Sequence, residues 1–488
     1  MNHSELKREI GFFTSTTLVV ANMVGTGIFT TSGFVMKELG SPSAMLFCWL
    51  AGGIFALCGA LCYGELGSRF PSAGGEYVYL KETFGEWMGF LSGWISLVVG
   101  FSAPIAAAAF AFAIYSFQAL SISPGPLLTI PLLGINIITV SSQSFVAVGM
   151  VILFSIVHSH SLSTGSWVQN LLTLCKVGVV VFFITAGFLS ENGSTAHFLK
   201  ETKTITGVGE RFAVSLIFIS FAYSGWNASA YMGGEIKRPG RNTPLSLTTG
   251  VFFVTGIYLL MNIVYIYALT PEQMSGAIDV GARAAVSLFG ENLSRAINGA
   301  IALGLLSVLS AMIMTGPRVY YAMSKDGIFF ELFARVSRSR RTPVHSIFLQ
   351  AAIAVLLIVT ASYEELLIYI GFTLSLFATL TVAGLVRLRL RKGPNANGYR
   401  TLGYPVTPLI FITGNLWIIW FSVKSRPAPA ICGFATIGLG ICVYLYFKRR
   451  QSILSSGNKR QKEKVIGPRD PPNGKMTLAP REGADQNK

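Results

Sequence analysis

The stretch ANMVGTGIFTTSG, residues 21–33, decides how this chain folds, because it interrupts an apolar run that is long enough to cross a membrane. Gly25 and Gly27 flank Thr26 in the middle of that run. Glycine has no side chain, so it weakens a helix and lets other groups approach its backbone closely. We therefore predict a helix that is interrupted at residues 24–27.

The composition indicates an integral membrane protein. Of the 488 residues, 52% are hydrophobic and only 12% are charged, whereas soluble domains carry about 25% charged residues. The net charge of +16 is best explained by membrane topology, since the basic residues cluster in particular loops. We expect contact with the lipid bilayer and no nucleic-acid partner.

The six cysteines all lie within apolar runs, and we interpret them as small packing residues. We therefore expect no disulfide framework, no metal site and no cofactor. The N-terminal stretch MNHSELKREI is polar, and the apolar run after it has no small-residue cleavage site, so we expect a first span rather than a cleaved signal peptide.

The hydropathy pattern predicts an all-α integral membrane protein with twelve transmembrane helices of about 20 residues each. The predicted spans are 11–36, 43–67, 85–118, 142–159, 166–189, 211–235, 245–269, 284–316, 345–361, 364–388, 404–423 and 428–447. Residues 448–488 are polar and basic, without apolar periodicity, and they are predicted to form a disordered cytoplasmic tail.

The distribution of Lys and Arg predicts the orientation. Basic residues concentrate in alternate loops and at both termini, whereas the loop 119–141 has no Lys or Arg. By the positive-inside rule, the N-terminal segment 1–10 and the C-terminal tail are cytoplasmic. An even number of spans agrees with that arrangement, and the expected location is the cell inner (plasma) membrane.

The sixth predicted span has a weak centre of its own, at Ser224-Gly225 followed by Trp226-Asn227. Two interrupted spans that lie five spans apart indicate two five-helix repeats, inverted relative to one another. The predicted repeats are 11–189 and 211–388, and two peripheral helices follow within 404–447.

The two interruptions offer complementary charges. A break at residues 24–27 exposes the amides that begin a second half-helix, and that positive end binds a carboxylate. A break at residues 224–227 leaves carbonyls, which bind an ammonium group. Placed face to face, the two breaks match the α-carboxylate and α-amino groups of a free amino acid. The alternative, that the glycines only allow tight helix packing, is disfavoured by the paired interruption.

Four motifs in order resemble the amino acid–polyamine–organocation (APC) transporter superfamily, and the form FAYSGWN resembles its L-type amino acid transporter branch and the bacterial relatives of that branch. The resemblance extends over residues 8–447. The motifs are ANMVGTGIFTTSG (21–33), YGELGSRFPSAGGEYVYLKETFGEWMGFLSGW (63–94), FAYSGWNASAYMGGEIKRPGRNTP (221–244) and MTGPRVYYAMSKDGIFF (314–330).

This resemblance implies a fold like that of the leucine transporter, with five plus five inverted helices, discontinuous helices 1 and 6, and two peripheral helices. It implies that Gly25, Thr26 and Gly27 bind the substrate carboxylate. It also implies that the carbonyls of Met23, Phe221 and Ser224 bind the amino group, and that the ring of Phe221 acts as a gate. Asn227 completes the predicted substrate-binding set.

The human members of this branch pair with a glycoprotein heavy chain through a cysteine between spans three and four. This chain has no cysteine from residue 63 to residue 174. We therefore expect no covalently linked heavy chain, and a stand-alone bacterial carrier fits better.

Lys176 lies about ten residues from either end of the fifth predicted span, too deep for its ammonium group to reach water easily. A central lysine costs roughly 2.5–3.5 kcal/mol on insertion, which calls for a partner or a function. In the sodium-independent branch a lysine here resembles a substitute for a bracing sodium ion. Lys176 is then either a coupling group that exchanges protons or a purely structural cation bonded to carbonyls near Gly25.

The middles of spans three, eight and ten hold no acidic residue and no arginine, so a neutral amino acid is the expected substrate. We predict a sodium-independent permease that works by alternating access, as an exchanger or a proton symporter. The alternatives are an amino acid sensor without turnover and an exchanger of polyamines or cationic amino acids. The histidines are scattered along the sequence, which argues against an enzyme.

Near the end of span two, Glu65 and Arg69 are spaced to form an i,i+4 ion pair.

Overall fold

The computed structural model describes residue 8 and residues 10–72, 74–125, 128–132, 135–160, 162–201, 207–335, 342–395 and 398–465. Most of the predicted N-terminal segment 1–10 therefore lies outside the described residues, and so do residues 466–488 of the predicted tail. Helices up to Tyr444 belong to one compact unit, and the chain from Leu445 onward belongs to a second unit.

Helices dominate the described chain, and the apolar runs of the sequence account for their positions. The first ten helices are α1 (Phe12–Met23), α2 (Thr26–Leu39), α3 (Pro42–Arg69), α4 (Glu76–Phe84), α5 (Glu86–Ile95), α6 (Ala103–Leu120), α7 (Ser142–His160), α8 (Leu162–Leu189), α9 (Val208–Ala222) and α10 (Ala228–Tyr231). A π-helical segment, Ser96–Ser102, joins α5 to α6, so the two helices form one continuous span.

Eight further helices complete the described fold. They are α11 (Pro239–Ala268), α12 (Pro271–Met274), α13 (Val280–Thr315), α14 (Pro317–Lys325), α15 (Val344–Thr360), α16 (Tyr363–Lys392), α17 (Val406–Ser425) and α18 (Pro427–Val465). Each of the twelve predicted spans coincides with one of these helices or with a pair of neighbouring helices.

Within the described ranges, nine helical segments are long and apolar enough to cross a membrane, or ten if the bent pair α1–α2 counts as one span. Helix α9 has 15 residues and α15 has 17, slightly fewer than a straight span of about 20 residues needs. The protein is therefore a multi-pass helical membrane protein, and the count of twelve spans stays a prediction.

A short antiparallel hairpin corrects the expectation of a purely helical protein. Strand β1 (Leu128–Leu132) pairs with β2 (Ile135–Val140) inside the loop 119–141. That loop contains the sequence INIITV, whose β-branched residues favour extended backbone. Hydropathy analysis searches for long apolar runs, so it passes over strands of this length.

Helix α18 extends further than predicted. It continues to Val465, so residues 448–465 are helical where the sequence analysis predicted a disordered tail. Lys, Arg, Gln and Glu dominate NKRQKEK, residues 458–464, and all four residue types have good helix propensity. A polar segment can therefore prolong a span beyond its apolar part.

Both predicted interruptions coincide with breaks in the structure. Helix α1 ends at Met23 and α2 begins at Thr26, with a bend of 44° between them. The chain from α9 to α10 is a turn in which Gly225 adopts a φ of 91°. Since that conformation is rare for residues with a side chain, glycine fits this position.

The two breaks lie against each other. A Cβ atom on Gly27 would collide with the backbone of Ala222, and one on Gly225 would lie 2.9 Å from the carbonyl oxygen of Asn22. Small residues thus let these two segments of the chain approach until their backbones are in contact. The break of the first span and the break of the sixth span are therefore in direct contact, and we refer to this contact as the joint.

A second contact joins the same two parts of the chain further along. The amide of Ile10 donates to the carbonyl of Glu235 (3.0 Å), and the amide of Lys237 donates to the carbonyl of Ile10 (2.8 Å). This parallel bridge connects the residue that leads into α1 with the segment after α10.

The described helices differ greatly in how much of their surface the protein covers. The most apolar windows of the spans Glu86–Leu120, Val280–Lys325 and Tyr363–Lys392 are each 78% buried, whereas that of Leu171–Leu189 is only 22% buried. The third, eighth and tenth predicted spans are therefore central, and the fifth lies at the periphery. Polar groups on the central helices are consequently in a position to line an internal cavity.

Glu65 pairs with a different arginine from the one that its spacing predicts. Nε of Arg389, on α16, donates to Oε1 of Glu65 at 2.9 Å, and Nη2 donates to Oε2. The amide and hydroxyl groups of Thr401 also donate to Oε2. Arg69 instead donates to the carbonyl oxygen of Gly393. The prediction of a Glu65–Arg69 pair is wrong because the i,i+4 rule ignores neighbouring helices, and α16 presents a two-pronged donor to this carboxylate.

The Arg389→Gln variant tests this assignment, with Arg69→Gln as its matched control. Glu65 is fully buried, so removing its cation leaves an uncompensated charge, which costs about 3–5 kcal/mol. Arg69 loses only a hydrogen bond to a backbone carbonyl, for which we expect about 1 kcal/mol. Unfolding of both variants in detergent micelles measures the difference. An equal loss of stability in the two variants would contradict the Glu65–Arg389 pairing.

Candidate substrate site

A cavity lies beside the joint between the two breaks. It has a volume of about 1390 Å³, including its open mouth. Its walls come from α1, α3, α4, the span formed by α5 and α6, α13, the start of α14, α16, α17 and the segment 220–232 around the turn between α9 and α10. Polar residues in its wall include Asn22, Glu76, Ser96, Ser224, Asn227 and Arg318.

The break of the sixth span faces this cavity. Ser224, Gly225 and Asn227 all line it. The amide of Ser224 donates to the carbonyl of Phe221 (2.9 Å), and the amide of Ala228 donates to the carbonyl of Gly225 (3.0 Å). The carbonyl of Ser224 accepts no hydrogen bond from another described residue. The carbonyl oxygen of Ser224 is therefore available to a ligand, and its role in binding an amino group stays a prediction.

The break of the first span is covered in this conformation. Thr26 is 4% exposed, and neither Gly25, Thr26 nor Gly27 lines the cavity. Gly27 lies against Ala222, and a Cβ atom on Gly25 would lie 3.1 Å from a methyl group of Val308. The first amides of α2 have no partner within their own helix, and a substrate in the cavity would not reach them without a local movement.

Tyr258 connects the two breaks, and the sequence analysis did not identify it. Its hydroxyl lies 2.5 Å from the carbonyl oxygen of Met23 and 2.8 Å from that of Ala222. Met23 is thus already in contact with a donor, although a carbonyl oxygen has a second lone pair. A tyrosine within an apolar helix is an ordinary core residue, so the sequence alone offered no signal for this role.

Phe221, the predicted gate, lies at the end of α9 and is 4% exposed. It does not line the cavity in this conformation. It directly precedes Ala222, which contacts Gly27, and it lies three residues before the half-buried Ser224 of the turn. The gate role stays a prediction.

Lys176 is buried, with 1% of its surface exposed, and its Nζ donates to the carbonyl oxygen of Ala21 at 2.6 Å. Its side chain also packs against Gly304 of α13. Ala21 lies in the last turn of α1, where carbonyls lack partners within the helix and a positive charge is favourable. Lys176 thus contacts α1 through its ammonium group and α13 through its stem, and the ammonium group binds four residues before Gly25 rather than beside it.

Glu76 lines the cavity and was missed because only the middles of the spans were searched for charge. It is the first residue of α4, which precedes the third predicted span. The hydroxyl of Tyr63 donates to its Oε1 (2.6 Å), and so does Nδ2 of Asn227 (3.0 Å). Burial raises the pKa of Glu76 above its usual value, although these two hydrogen bonds act in the opposite direction. The pair Gly74-Gly75 before it, which allows a tight turn into the protein, was the available signal.

Arg318 is the second charged residue on the cavity wall that the sequence analysis missed. It is exposed, and its Nη1 donates to the carbonyl oxygen of Met314 (3.0 Å). Glu76 and Arg318 both lie beyond the apolar segments, so the middles of spans three, eight and ten hold no acidic residue and no arginine, as predicted. The cavity, however, extends beyond those segments. In the described part of the chain, no group of three or more His, Cys, Asp or Glu residues is arranged to hold a metal ion.

Comparison with known proteins agrees with this geometry. The serine/threonine exchanger SteT of Bacillus subtilis (strain 168) is 29% identical over 460 residues, which cover 92% of this chain and 98% of the relative. The b(0,+)-type amino acid transporter 1 of Mus musculus is 29% identical over 435 residues (87% and 84%). The large neutral amino acids transporter small subunit 2 of Homo sapiens is 28% identical over 448 residues (90% and 80%).

A family model described as amino acid permease matches residues 10–447. The match extends from two residues before α1 to the end of the apolar part of α18, and so it includes both breaks and every wall of the cavity. The chain therefore belongs to the amino acid permease family, whose members are transporters rather than enzymes.

Proposed function

We propose that this protein moves neutral L-amino acids across the plasma membrane by alternating access, without sodium, as an exchanger or a proton symporter. The observation that carries the proposal is the contact between two helix breaks, Gly27 against Ala222 and Gly225 against Asn22, beside a largely apolar cavity with a few polar groups in its wall. The names of two relatives, a serine/threonine exchanger and a large neutral amino acids transporter, support a neutral substrate.

The proposed topology has twelve spans with both termini in the cytoplasm. The broken pair α9–α10 and the short helix α15 supply the spans that length alone does not count. Residues 11–189 and 211–388 form the inverted repeats, and 404–447 the two peripheral helices. In this orientation Leu18 and Arg318, which line the cavity, lie in its cytoplasmic half, so the cavity opens to the cytoplasm.

The proposed binding mode places the substrate between the two breaks. Its ammonium group binds the carbonyl of Ser224, which already faces the cavity, together with those of Met23 and Phe221. Its carboxylate binds the amides of Gly25, Thr26 and Gly27. Because Gly27 lies against Ala222 in this conformation, the complete site forms only when α2 and α9 separate slightly. Phe221, next to that contact, is well placed to cover the bound substrate, and Asn227 lies one turn beyond Ser224.

Two further features belong to the proposal. Lys176 braces α1, α8 and α13 through the carbonyl of Ala21, which removes the need for a sodium ion at that place. The chain has no cysteine between residues 63 and 174, and the proposed transporter accordingly has no disulfide-linked heavy chain.

A second candidate function is exchange of cationic amino acids or polyamines, and one observation favours it. The carboxyl group of Glu76 lines the cavity and would attract a positively charged side chain. Exposed Arg318 on the same cavity opposes that attraction, and for this reason we favour neutral substrates.

An exchange panel in proteoliposomes tests the function. Vesicles are loaded with one unlabelled amino acid or left empty, and uptake of labelled serine, leucine, lysine, glutamate and putrescine is followed with sodium or with choline outside. We expect uptake of a neutral amino acid, several-fold faster into loaded vesicles if the protein is an exchanger, and equal in both salts. Faster uptake of lysine or putrescine would establish the second candidate, and no uptake of any compound would contradict transport.

The Gly27→Val variant tests the close contact of the two breaks, with Gly11→Val as its control. A side chain at Gly27 collides with Ala222, whereas a Cβ atom on Gly11 meets nothing within 4 Å. We expect exchange to fall by more than about tenfold in Gly27→Val, equivalent to about 1.4 kcal/mol, and to persist in the control. Equal rates in the two variants would contradict a substrate site at this joint.

The Lys176→Ala variant tests the bracing cation, with exposed Lys424→Ala as its control. Loss of Lys176 leaves the carbonyl of Ala21 without its donor, so we expect exchange to fall by about tenfold or more. Measurement with and without a pH gradient separates bracing from proton coupling, because only proton coupling predicts that the variant loses its response to the gradient. Unchanged uptake under every condition would contradict both roles.

A further inference from the structure

Glu76 lies where α3, α4 and the break of the sixth span meet. It begins α4, the short helix between the second and third predicted spans, and only 7% of its surface is exposed. Its two donors come from other elements, Tyr63 from α3 and Asn227 from the break of the sixth span. The amide of Gly74 also donates to the carbonyl of Tyr231 in α10 (3.1 Å). One carboxyl group thus connects α3, α4 and the interrupted helix.

The hydrogen bonds of Glu76 have the pattern of a carboxyl group that can carry a proton. Both donors bind Oε1, which leaves Oε2 without a described partner. In a neutral carboxylic acid, one oxygen is a carbonyl that accepts two hydrogen bonds and the other carries the hydrogen. Polar atoms of the described chain that are fully buried and lack a hydrogen-bond partner do not include Oε2. Oε2 is therefore partly exposed. Because Glu76 lines the cavity, this oxygen is accessible from the cavity.

The surroundings of Glu76 supply no counter-ion. The hydroxyl groups of Tyr63, Tyr79 and Tyr231 face it from α3, α4 and α10, together with the amide of Asn227. Among the described residues, no Lys, Arg or His nitrogen lies within 4.0 Å of its carboxylate. Lys81, on the same helix, pairs with Asp326, and Arg318 donates to Met314.

Two effects compete at this site. The N-terminus of α4 favours the ionised form of Glu76, whereas burial without a cation favours the neutral form. Burial is the stronger effect, and the pKa of Glu76 is raised. Protonation therefore takes place at a higher pH than for a glutamate in water.

We propose that Glu76 is a proton-binding site of the transport cycle, at which a proton from cavity water bonds to Oε2. This inference deepens the proposed function, on which it rests, by identifying a group that gives a proton symporter its coupling ion. It assigns a ligand to a residue that belongs to neither the predicted carboxylate site nor the predicted ammonium site. The step needs no other reactant, because water in the cavity delivers the proton and receives it again.

The charge of Glu76 reaches the substrate site through Asn227. A hydrogen bond to an ionised carboxylate is roughly twice as strong as one to a neutral group. Ionised Glu76 therefore holds Asn227, and with it the turn that carries Ser224, more firmly against α4. Protonation weakens that hold, so the break of the sixth span moves more easily when Glu76 is neutral.

The pH dependence of transport provides the test. Initial uptake of the best neutral substrate is measured in proteoliposomes between about pH 5.5 and about pH 8 for wild type, Glu76→Gln and Glu82→Gln. Glu82 lies on the same helix but is exposed, so it is the matched control. We expect the uptake rates of wild type and Glu82→Gln to fall about tenfold from the acidic to the alkaline end of this range. The rate of Glu76→Gln is expected to change less than about twofold.

A second measurement keeps the proposal testable if Glu76→Gln does not fold. Infrared spectra of wild type in lipid, recorded across the same pH range, show the C=O stretching band of a protonated carboxylic acid. We expect a band that disappears as the pH rises and shifts its midpoint in Glu76→Asp, whereas Glu82→Gln keeps it unchanged. The midpoint is expected to lie above that of a glutamate in water.

The outcomes separate the two proposals. If wild type exchanges amino acids but Glu76→Gln keeps the wild-type pH profile, Glu76 is not a proton site, while the transport function stands. A band unchanged in Glu76→Asp leads to the same conclusion. If Glu76→Gln instead loses uptake of cationic substrates only, the carboxylate binds a substrate side chain, and the proton assignment is overturned. If wild type moves no amino acid at any pH, the proposed function itself fails.

Discussion

The rest of the structure depends on one constraint: backbone carbonyls that end a helix inside a membrane need hydrogen-bond donors, because each unsatisfied polar group costs several kcal/mol there. Helix α1 ends at Met23, so the carbonyls of its last turn have no partner in their own helix. Lys176 supplies a donor to Ala21, and Tyr258 supplies one near Met23. The same hydroxyl lies within reach of the carbonyl of Ala222 at the second break. Lys176 and Tyr258, which lie on neighbouring helices, thus provide hydrogen-bond donors for backbone carbonyls at both breaks.

The positions of the long helices follow from apolar runs and glycines, whereas the short helices α4, α12 and α14 and the polar end of α18 do not. The breaks at residues 24–27 and 224–227 could also be predicted, because glycine within a membrane-length run is a local signal. Pairings between distant segments could not be predicted in this way. Glu65 binds Arg389 rather than Arg69, because the packing of α3 against α16 decides which guanidinium group is within reach.

In the candidate site too, local features could be predicted from the sequence, whereas contacts between distant segments could not. Ser224 and Asn227 line the cavity as their position at the break predicts. Glu76 and Arg318 line it as well, although both follow the ends of apolar segments, where a charged residue ordinarily lies in a loop. A turn at Gly74 and Gly75 directs Glu76 into the protein, and no property of the glutamate itself reveals this. The covered state of Gly25, Thr26 and Gly27 is likewise a property of one conformation of the chain.

The parallel bridge between Ile10 and residues 235–237 has a mechanical consequence. It fastens Ile10, two residues before α1, to the segment after α10, so that the two half-helices α1 and α10 share a backbone connection. A rotation of α1 alone would break both of its hydrogen bonds. The bridge at Ile10 therefore links any movement of α1 to movement of the segment after α10.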